Sequence, residues 1–336
     1  MIYLHIGKAK TGTTTIQGTL YANRISLAQM GYLYPNKCIM ARGHHNIYFE
    51  LTKDERFNPA LGSFNELLNE IENYKRKNKD GHIILSSETF EALSIDALFF
   101  VYEALSKLDE VRIVILLRRQ DRYLLSYWAM QIKSLKISSP FEEWSVEQIN
   151  IDNDENNEFS YGLDYHKFIN SILEKVDVSK IMVTSYAEQI KGGLVENFLQ
   201  MCGIKSANLA KYHSLNTPLC PLGLEVSRQF TKRYGTKLSP KRKKVLGNCI
   251  QVLSKRNEWD KLWKGKEHLI SNEIYQVIKE EYQASNGAIA VQYPSLYEPL
   301  QFEERILEDQ VLSMDSIPRE DLLDLAIFTF SAKEQP

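Results

Sequence analysis

The stretch Ile2-Tyr3-Leu4-His5-Ile6-Gly7-Lys8-Ala9-Lys10-Thr11-Gly12-Thr13-Thr14-Thr15-Ile16-Gln17 decides how the rest of the chain is read. Residues 2–6 are a short, mostly apolar run and read as a buried strand. Residues 7–12 hold two glycines five positions apart, and a helix is expected to open near Thr13. Thr14 and Gln17 have the spacing of a capping box, with Ile16, Leu20 and Ala22 as apolar positions behind it. A glycine-bracketed loop between a strand and a helix is the setting in which backbone N–H groups and a helix N-terminus hold a phosphate.

Working outward, three more apolar runs end in polar clusters. His82-Ile83-Ile84-Leu85 ends in Ser86-Ser87-Glu88. Val111-Arg112-Ile113-Val114-Ile115-Leu116-Leu117 ends in Arg118-Arg119-Gln120-Asp121. Lys180-Ile181-Met182-Val183-Thr184 ends in Ser185-Tyr186. Helical patterns lie between them, as in 95–108. Short β-branched runs alternating with helices predict an α/β fold, a parallel sheet covered on both faces. Ligands bind at the carboxyl ends of such strands, so the four polar clusters are expected to converge. From about residue 205 the pattern turns helical, over 222–234, 240–255, 270–284 and 319–331. We expect an α/β core over 1–204 and a helical extension over 205–336, as two domains or one large one. Residues 150–158 are acidic and almost free of apolar side chains, and read as a mobile surface loop.

The bulk properties are those of an ordinary globular chain. Of 336 residues, 43% are hydrophobic and 25% charged, which excludes disordered, collagen-like and disulfide-scaffold classes. Lys and Arg total 41 against 43 Asp and Glu, a net charge of −2, so no nucleic-acid polymer is expected as partner and any anion site is local. Cys38, Cys202, Cys220 and Cys249 show no C-x-x-C pairing, which fits a reducing compartment and no structural zinc. No apolar run reaches about 18 residues, and the N-terminus lacks a signal-type pattern. The expectation is a cytoplasmic protein starting at residue 1, without a membrane span though open to peripheral contact.

The loop has the glycine spacing of the nucleotide-triphosphate loop G-x-x-x-x-G-K-[ST]. Thr13 stands where that loop has lysine, and Lys10 comes two residues before the second glycine. His5-Ile6-Gly7-x-x-Lys10-Thr11-Gly12-Thr13-Thr14-x-Ile16-Gln17 resembles the 5′-phosphosulfate loop of sulfotransferases that use 3′-phosphoadenosine-5′-phosphosulfate (PAPS), whose hallmark is K-[ST]-G-T-T. The carbohydrate-type bacterial members are the most similar. That family binds the 3′-phosphate through an Arg at a strand end and a Ser eight residues later, and Arg118 and Ser126 have this spacing. Arg119-Gln120 replaces the commoner Asn-Pro after the arginine, so either Arg118 or Arg119 is the anchor. Ser185-Tyr186-Ala187-Glu188 and the following 195–204 segment resemble the family's Y-E-D-L and L-G-I segments, which would put Tyr186 near the adenine; a half-buried strand-end tyrosine reads the same way. Ser285-Asn286-x-x-Ile289-Ala290 also resembles bacterial members. Thr15 stands where many animal members have an adenine-stacking tryptophan.

The resemblance implies PAPS as donor, adenosine 3′,5′-bisphosphate as product, no metal, and a hydroxyl of a carbohydrate or glycolipid as acceptor. Lys10 would stabilise charge on the leaving phosphate, while Lys8 would either assist it or point to solvent. Thr11, Gly12, Thr13 and Thr14 would hold the 5′-phosphate. The base is either Glu88, at the carboxyl end of the second run, or His45 in Arg42-Gly43-His44-His45-Asn46, where the histidines equally read as a surface loop. Glu88 also reads as a carboxylate favoured by a helix N-terminus. Residues 232–244 hold seven Lys or Arg and no acid, an anion-attracting surface or a solvated face around a helix start at Pro240. Trp259 and Trp263 are sugar-stacking or packing residues. The competing functions are a Mg²⁺-dependent small-molecule kinase and a non-catalytic nucleotide-binding protein.

Overall fold

The structure is a computed structural model; it describes residues 1–153, 162–205, 209–210, 212, 218–235, 237–255 and 269–304. Five strands form one parallel sheet: β1 (Ile2–His5), β2 (Tyr32–Leu33), β3 (His82–Ser86), β4 (Val111–Leu117) and β5 (Ile181–Ser185). Their order is β2-β3-β1-β4-β5, so β1 is central. Ile2 lies between Ile83 and Val111, and His5 between Ser86 and Val114. Only the two-residue edge strand β2 escapes the sequence pattern, being too short to show a period.

Among the described residues the α-helices longer than one turn are α1 (Thr13–Ala22), α2 (Arg24–Gln29), α3 (His45–Leu51), α4 (Phe64–Lys77), α5 (Ile95–Ser106), α6 (Gln120–Lys133), α7 (Phe141–Asn153), α8 (Tyr165–Leu173), α9 (Tyr186–Lys191), α10 (Leu194–Met201), α11 (Pro221–Tyr234), α12 (Pro240–Leu253) and α13 (Asn272–Gln292). The chain divides into two compact units. The first comprises Met1–Arg119, the described residues of 151–214 and Tyr282–Gln301. The second comprises Gln120–Asn150 with the described residues of 215–281 and 302–304. The expected boundary near residue 204 does not match this division, because chain segments return to the first unit after leaving it.

In the first unit the sheet is buried on both faces, as a parallel sheet requires. Side chains alternate along each strand. Ile2, Leu4, Ile83, Leu85, Ile113 and Ile115 meet Leu67 and Ile71 of α4, Val101 and Leu105 of α5, and Ile169 of α8. Tyr3, Ile84, Val114 and Leu116 meet Ile16 and Leu20 of α1, Leu27 of α2, and Phe198 of α10. The α4 helix carries a true capping box: Ser63 Oγ accepts from the Glu66 amide and Glu66 Oε2 accepts from the Ser63 amide. The box expected at Thr14 and Gln17 does not form. Gly12 is the N-cap of α1, with no side-chain bond, and the Gln17 amide group is used elsewhere.

The second unit is helical among its described residues. There α6 packs on α11 and α11 on α12. Arg228 holds Glu225 with two bonds of 2.8 Å within α11. Of the basic segment, Lys232, Arg233, Lys237, Lys241 and Lys244 are exposed, and α12 does begin at Pro240, capped by Ser239. Residues 150–153 are the end of α7 rather than part of a loop. Residues 154–158, Trp259, Trp263 and the expected helix over 319–331 lie outside the described residues. The four cysteines are free and buried. No helix among the described residues is long and apolar enough to cross a membrane.

Leu4 is fully buried in the central strand. Leu4→Ala is expected to lower the unfolding free energy by about 3 kcal/mol, read by urea denaturation; a loss under about 1 kcal/mol would contradict this packing.

Candidate functional site

All four polar clusters stand at carboxyl ends of strands, and in the first unit they meet. The loop after β1 turns by left-handed backbone at Gly7 (φ 62°), Lys10 (φ 65°) and Gly12 (φ 80°). Glycine is demanded at both ends. A Cβ on Gly7 would fall 3.1 Å from the Glu88 Cα, and one on Gly12 would fall 2.2 Å from Leu194 Cδ2 and 3.2 Å from Tyr186 Cε2. The loop is therefore pressed against the segment after β3 on one side and the start of α9 and α10 on the other. Lys10 adopts the left-handed conformation without glycine's freedom, a strain that native structure must hold in place.

The holding groups are identifiable. Arg118, the first residue after β4, donates from Nη1 to the Lys10 carbonyl at 2.8 Å. Its guanidinium lies 4.9 Å from the centre of the Tyr186 ring, and its own carbonyl accepts from the Tyr165 hydroxyl. Arg119 instead donates to the Gln301 carbonyl at 2.9 Å, so Arg118 is the arginine that faces the loop. Glu91 Oε1 accepts from the Ala9 amide at 2.9 Å. Thr11 is fully buried, and its hydroxyl donates to the Lys8 carbonyl at 2.6 Å. That hydroxyl braces the loop and leaves only the Thr11 backbone for a ligand. Thr13 is buried and Thr14 exposed. Their amides open α1, so the helix itself supplies them no acceptor.

Lys8 does not point to solvent. It is 1% exposed, its Nζ lies 3.3 Å from Glu91 Oε2, and it donates to the Gly162 carbonyl at 2.9 Å. The ammonium also sits 4.2 Å from the centre of the Phe168 ring. Burial pushes the Glu91 carboxyl up from its ordinary value, and Lys8 pulls against that shift. A buried ammonium needs such partners to remain charged. This pair ties the loop to the segment that leads into α8.

Beside Gly7, the candidate bases come together. Gln17, one turn into α1, donates from Nε2 to Glu88 Oε2 at 2.7 Å. His45 Nε2 lies 3.8 Å from the same oxygen, and His45 Nδ1 is 2.6 Å from Ser87 Oγ. His44 and His45 are not a surface loop. Both are buried, and His45 begins α3. Burial lowers the His45 pKa, with Glu88 acting in the opposite direction. A neutral ring then has one N–H and one lone pair to divide between Ser87 and Glu88. Such a ring and carboxylate can accept a proton from a hydroxyl held next to them.

Two further histidines support this edge from below. His5 Nδ1 is 2.8 Å from Ser86 Oγ, and His44 Nδ1 accepts from the Ser86 amide at 3.2 Å. Gln17 and Glu91 are the members of the site that the sequence reading did not find. A glutamine on the buried face of α1, beside Ile16 and Leu20, was the available signal for the first; Glu91 offered none. Ser126 lies half-buried on α6, in the second unit, while Lys10, Thr11, Gly12, Thr13, Thr14, His45, Glu88, Arg118 and Tyr186 belong to the first. Comparison with protein-family models, curated proteins and solved structures returns no match.

Two predictions follow from the buried charges. Burial lowers the His5 and His44 pKa values to about 3, from an ordinary value of about 6.5. Groups with depressed folded values contribute stability that is complete above pH 6.5 and is lost as pH falls toward 3. The unfolding free energy should therefore drop below pH 6.5 by up to about 2.7 kcal/mol per pH unit for the two rings. Glu91, with its raised value, works in the opposite sense at higher pH. A flat urea-denaturation profile between pH 6.5 and 4.5 would show that the rings are not held neutral. Separately, Lys8→Met should cost about 3 kcal/mol by leaving Glu91 unpaired, and adding Glu91→Gln should recover part of the loss.

Proposed function

We propose that this chain is a sulfotransferase that moves the sulfuryl group of PAPS to a hydroxyl of a carbohydrate or glycolipid acceptor. The observation that carries the reading is the Lys10-Thr11-Gly12-Thr13-Thr14 loop at the carboxyl end of the central strand, opening α1, with the strand-end Arg118 bonded to it. The motif resembles the phosphosulfate loop in sequence, and its surroundings suit an anion. The convergence of Glu88, His45 and Gln17 beside Gly7 adds a proton-accepting group within the same unit.

Each step then has a residue. The amides of Thr13 and Thr14, with the Thr14 hydroxyl, bind the 5′-phosphate. Lys10 supplies the cation that stabilises the leaving phosphate oxygen. Arg118 and Tyr186 pair at the far side of the loop, suited to the nucleoside end of the donor, with Arg118 as the 3′-phosphate ligand by resemblance. Glu88 accepts a proton from the acceptor hydroxyl, held in position by Gln17, with His45 as the second member of the pair. In-line transfer requires the hydroxyl and the leaving oxygen on opposite sides of the sulfur. The breaking bond joins sulfur to the bridging oxygen, and the forming bond joins sulfur to the acceptor oxygen.

The test is a pair of measurements on purified protein without added metal. Adenosine 3′,5′-bisphosphate should raise the melting temperature well beyond ADP, and labelled PAPS should transfer its sulfuryl group to a saccharide in the presence of EDTA. Lys10→Met keeps the stem and removes the charge; turnover should fall by about 10²–10³ with the fold retained. Equal shifts from the two nucleotides, or undiminished turnover in Lys10→Met, would refute the reading.

A further inference from the structure

Residues 40–43 form a tight reversal beside the proton-accepting cluster. Met40 N donates to the Gly43 carbonyl at 2.8 Å, and Gly43 N donates to the Met40 carbonyl at 3.0 Å. The two residues between them, Ala41 (φ 48°) and Arg42 (φ 80°), are both left-handed. Hairpin turns of this kind favour asparagine and glycine, so Ala-Arg is a strained choice. The fully buried Tyr34 side chain holds it in place, its hydroxyl donating to the Arg42 carbonyl at 2.8 Å. Strain retained at one position is an indication that the side chain displayed there has a use.

What is displayed is a cation. Arg42 is exposed, and among the described residues it forms no ion pair. Its guanidinium lies 4.8 Å from the centre of the Tyr212 ring. Tyr212 in turn rests on α1, where a Cβ on Gly18 would fall 2.2 Å from its Cδ1. Ala210 is held by Asn23, the residue after α1, which donates to the Ala210 carbonyl at 2.9 Å and accepts from the Ala210 amide at 2.9 Å. Gly18 follows Gln17, the partner of Glu88. Gly43 follows Arg42 and is packed so closely on the site that a Cβ there would fall 2.6 Å from His45 Nε2 and 2.9 Å from Gln17 Cδ. The Arg42–Tyr212 pair is therefore linked to the His45, Gln17 and Glu88 cluster through two glycines: Gly43, next to Arg42, packs on His45 and Gln17, and Gly18, under Tyr212, is the neighbour of Gln17 in α1. Arg24, whose charge acts on Tyr34, is engaged elsewhere: its Nη1 donates to Asn36 Oδ1 at 2.7 Å.

We infer that Arg42, stacked on Tyr212, is a specificity-determining residue that anchors a carboxylate on the acceptor, so that the preferred acceptor is a uronate-bearing saccharide. This rests on the reading of the cluster as the acceptor's proton-accepting site. A planar guanidinium offers a donor fork that matches a planar carboxylate. A single arginine balances the single charge of a carboxylate, whereas a phosphate monoester carries nearly two. Tyr212 adds an aromatic face for the sugar ring while stiffening the arginine, so little freedom is lost on binding.

Binding is measured by calorimetry with an oligouronate and its carboxyl-reduced neutral counterpart, on the full chain, with no donor present. The wild type should favour the oligouronate by about tenfold or more, the scale of a hydrogen bond to a charged group. Arg42→Met, which retains the stem over Tyr212, should bring the ratio close to one, and Arg42→Lys should keep part of it. Equal binding of the two probes by the wild type, or an unchanged ratio in Arg42→Met, would overturn the inference. Because no turnover is involved, a protein that binds the oligouronate through Arg42 yet moves no sulfuryl group would retire the proposed activity and leave this inference standing.

Discussion

The bond from Arg118 to the Lys10 carbonyl is the constraint around which the site is organised. It joins the residue after β4 to the middle of the loop after β1, and so fixes a left-handed lysine that would otherwise relax. The Glu91 carboxylate does the same work one residue earlier by accepting from the Ala9 amide. Between these two braces the loop cannot collapse onto the sheet. Its amides are left facing outward at the start of α1, where the helix offers them no internal partner. The backbone of the loop is thus held open by side chains, and those side chains are themselves partly or wholly buried.

That arrangement makes the site dependent on buried polar groups. Lys8, His5 and His44 are buried and Glu91 half-buried against Lys8, in surroundings that disfavour unpaired charge. Lys8 is tolerated because Glu91, the Gly162 carbonyl and the Phe168 ring surround it. His5 and His44 are tolerated because burial keeps them neutral. Ser86 links the two histidines, and the adjacent Ser87 carries the bond to His45. The Glu88, His45 and Gln17 cluster therefore rests on a layer of neutral rings and short hydroxyl bonds, with His5 packed on Phe198 and His44 on Tyr34. Within the first unit, the loop after β1 and the segment carrying Glu88 meet at Gly7, whose missing Cβ lets the two approach.

The sequence failed at specific residues for specific reasons. The spacing of Thr14 and Gln17 is that of a capping box, but α1 already opens at Thr13 with Gly12 as its N-cap, which puts Thr14 inside the helix and leaves the Gln17 amide group to donate to Glu88. The real box at Ser63 and Glu66 forms on an exposed helix start, where nothing competes. Lys8 reads as a solvated lysine because nothing nearby in sequence is acidic; its partner lies 83 positions away and its carbonyl acceptor 154. His44 and His45 read as a surface pair because adjacent polar residues usually are. Here the chain passes alongside β3, with the His44 amide donating to the Ser86 carbonyl at 2.8 Å, which draws both rings inside.

What the sequence determined by itself is everything that depends on local order. Apolar runs of strand length fixed β1, β3, β4 and β5, the glycine spacing fixed the loop, and the alternation of runs with helical patterns fixed a parallel sheet whose carboxyl ends carry the polar residues. These follow from backbone sterics and from the need to bury both faces of such a sheet, which act within a few residues. Only the tertiary structure decided which polar side chain meets which: that Arg118 rather than Arg119 turns to the loop, that Gln17 and His45 flank Glu88, and that Arg42 stacks on Tyr212. Those choices depend on distances between segments far apart in the chain, set by strand order and by the close approach that glycines permit, and no periodicity in the sequence encodes them.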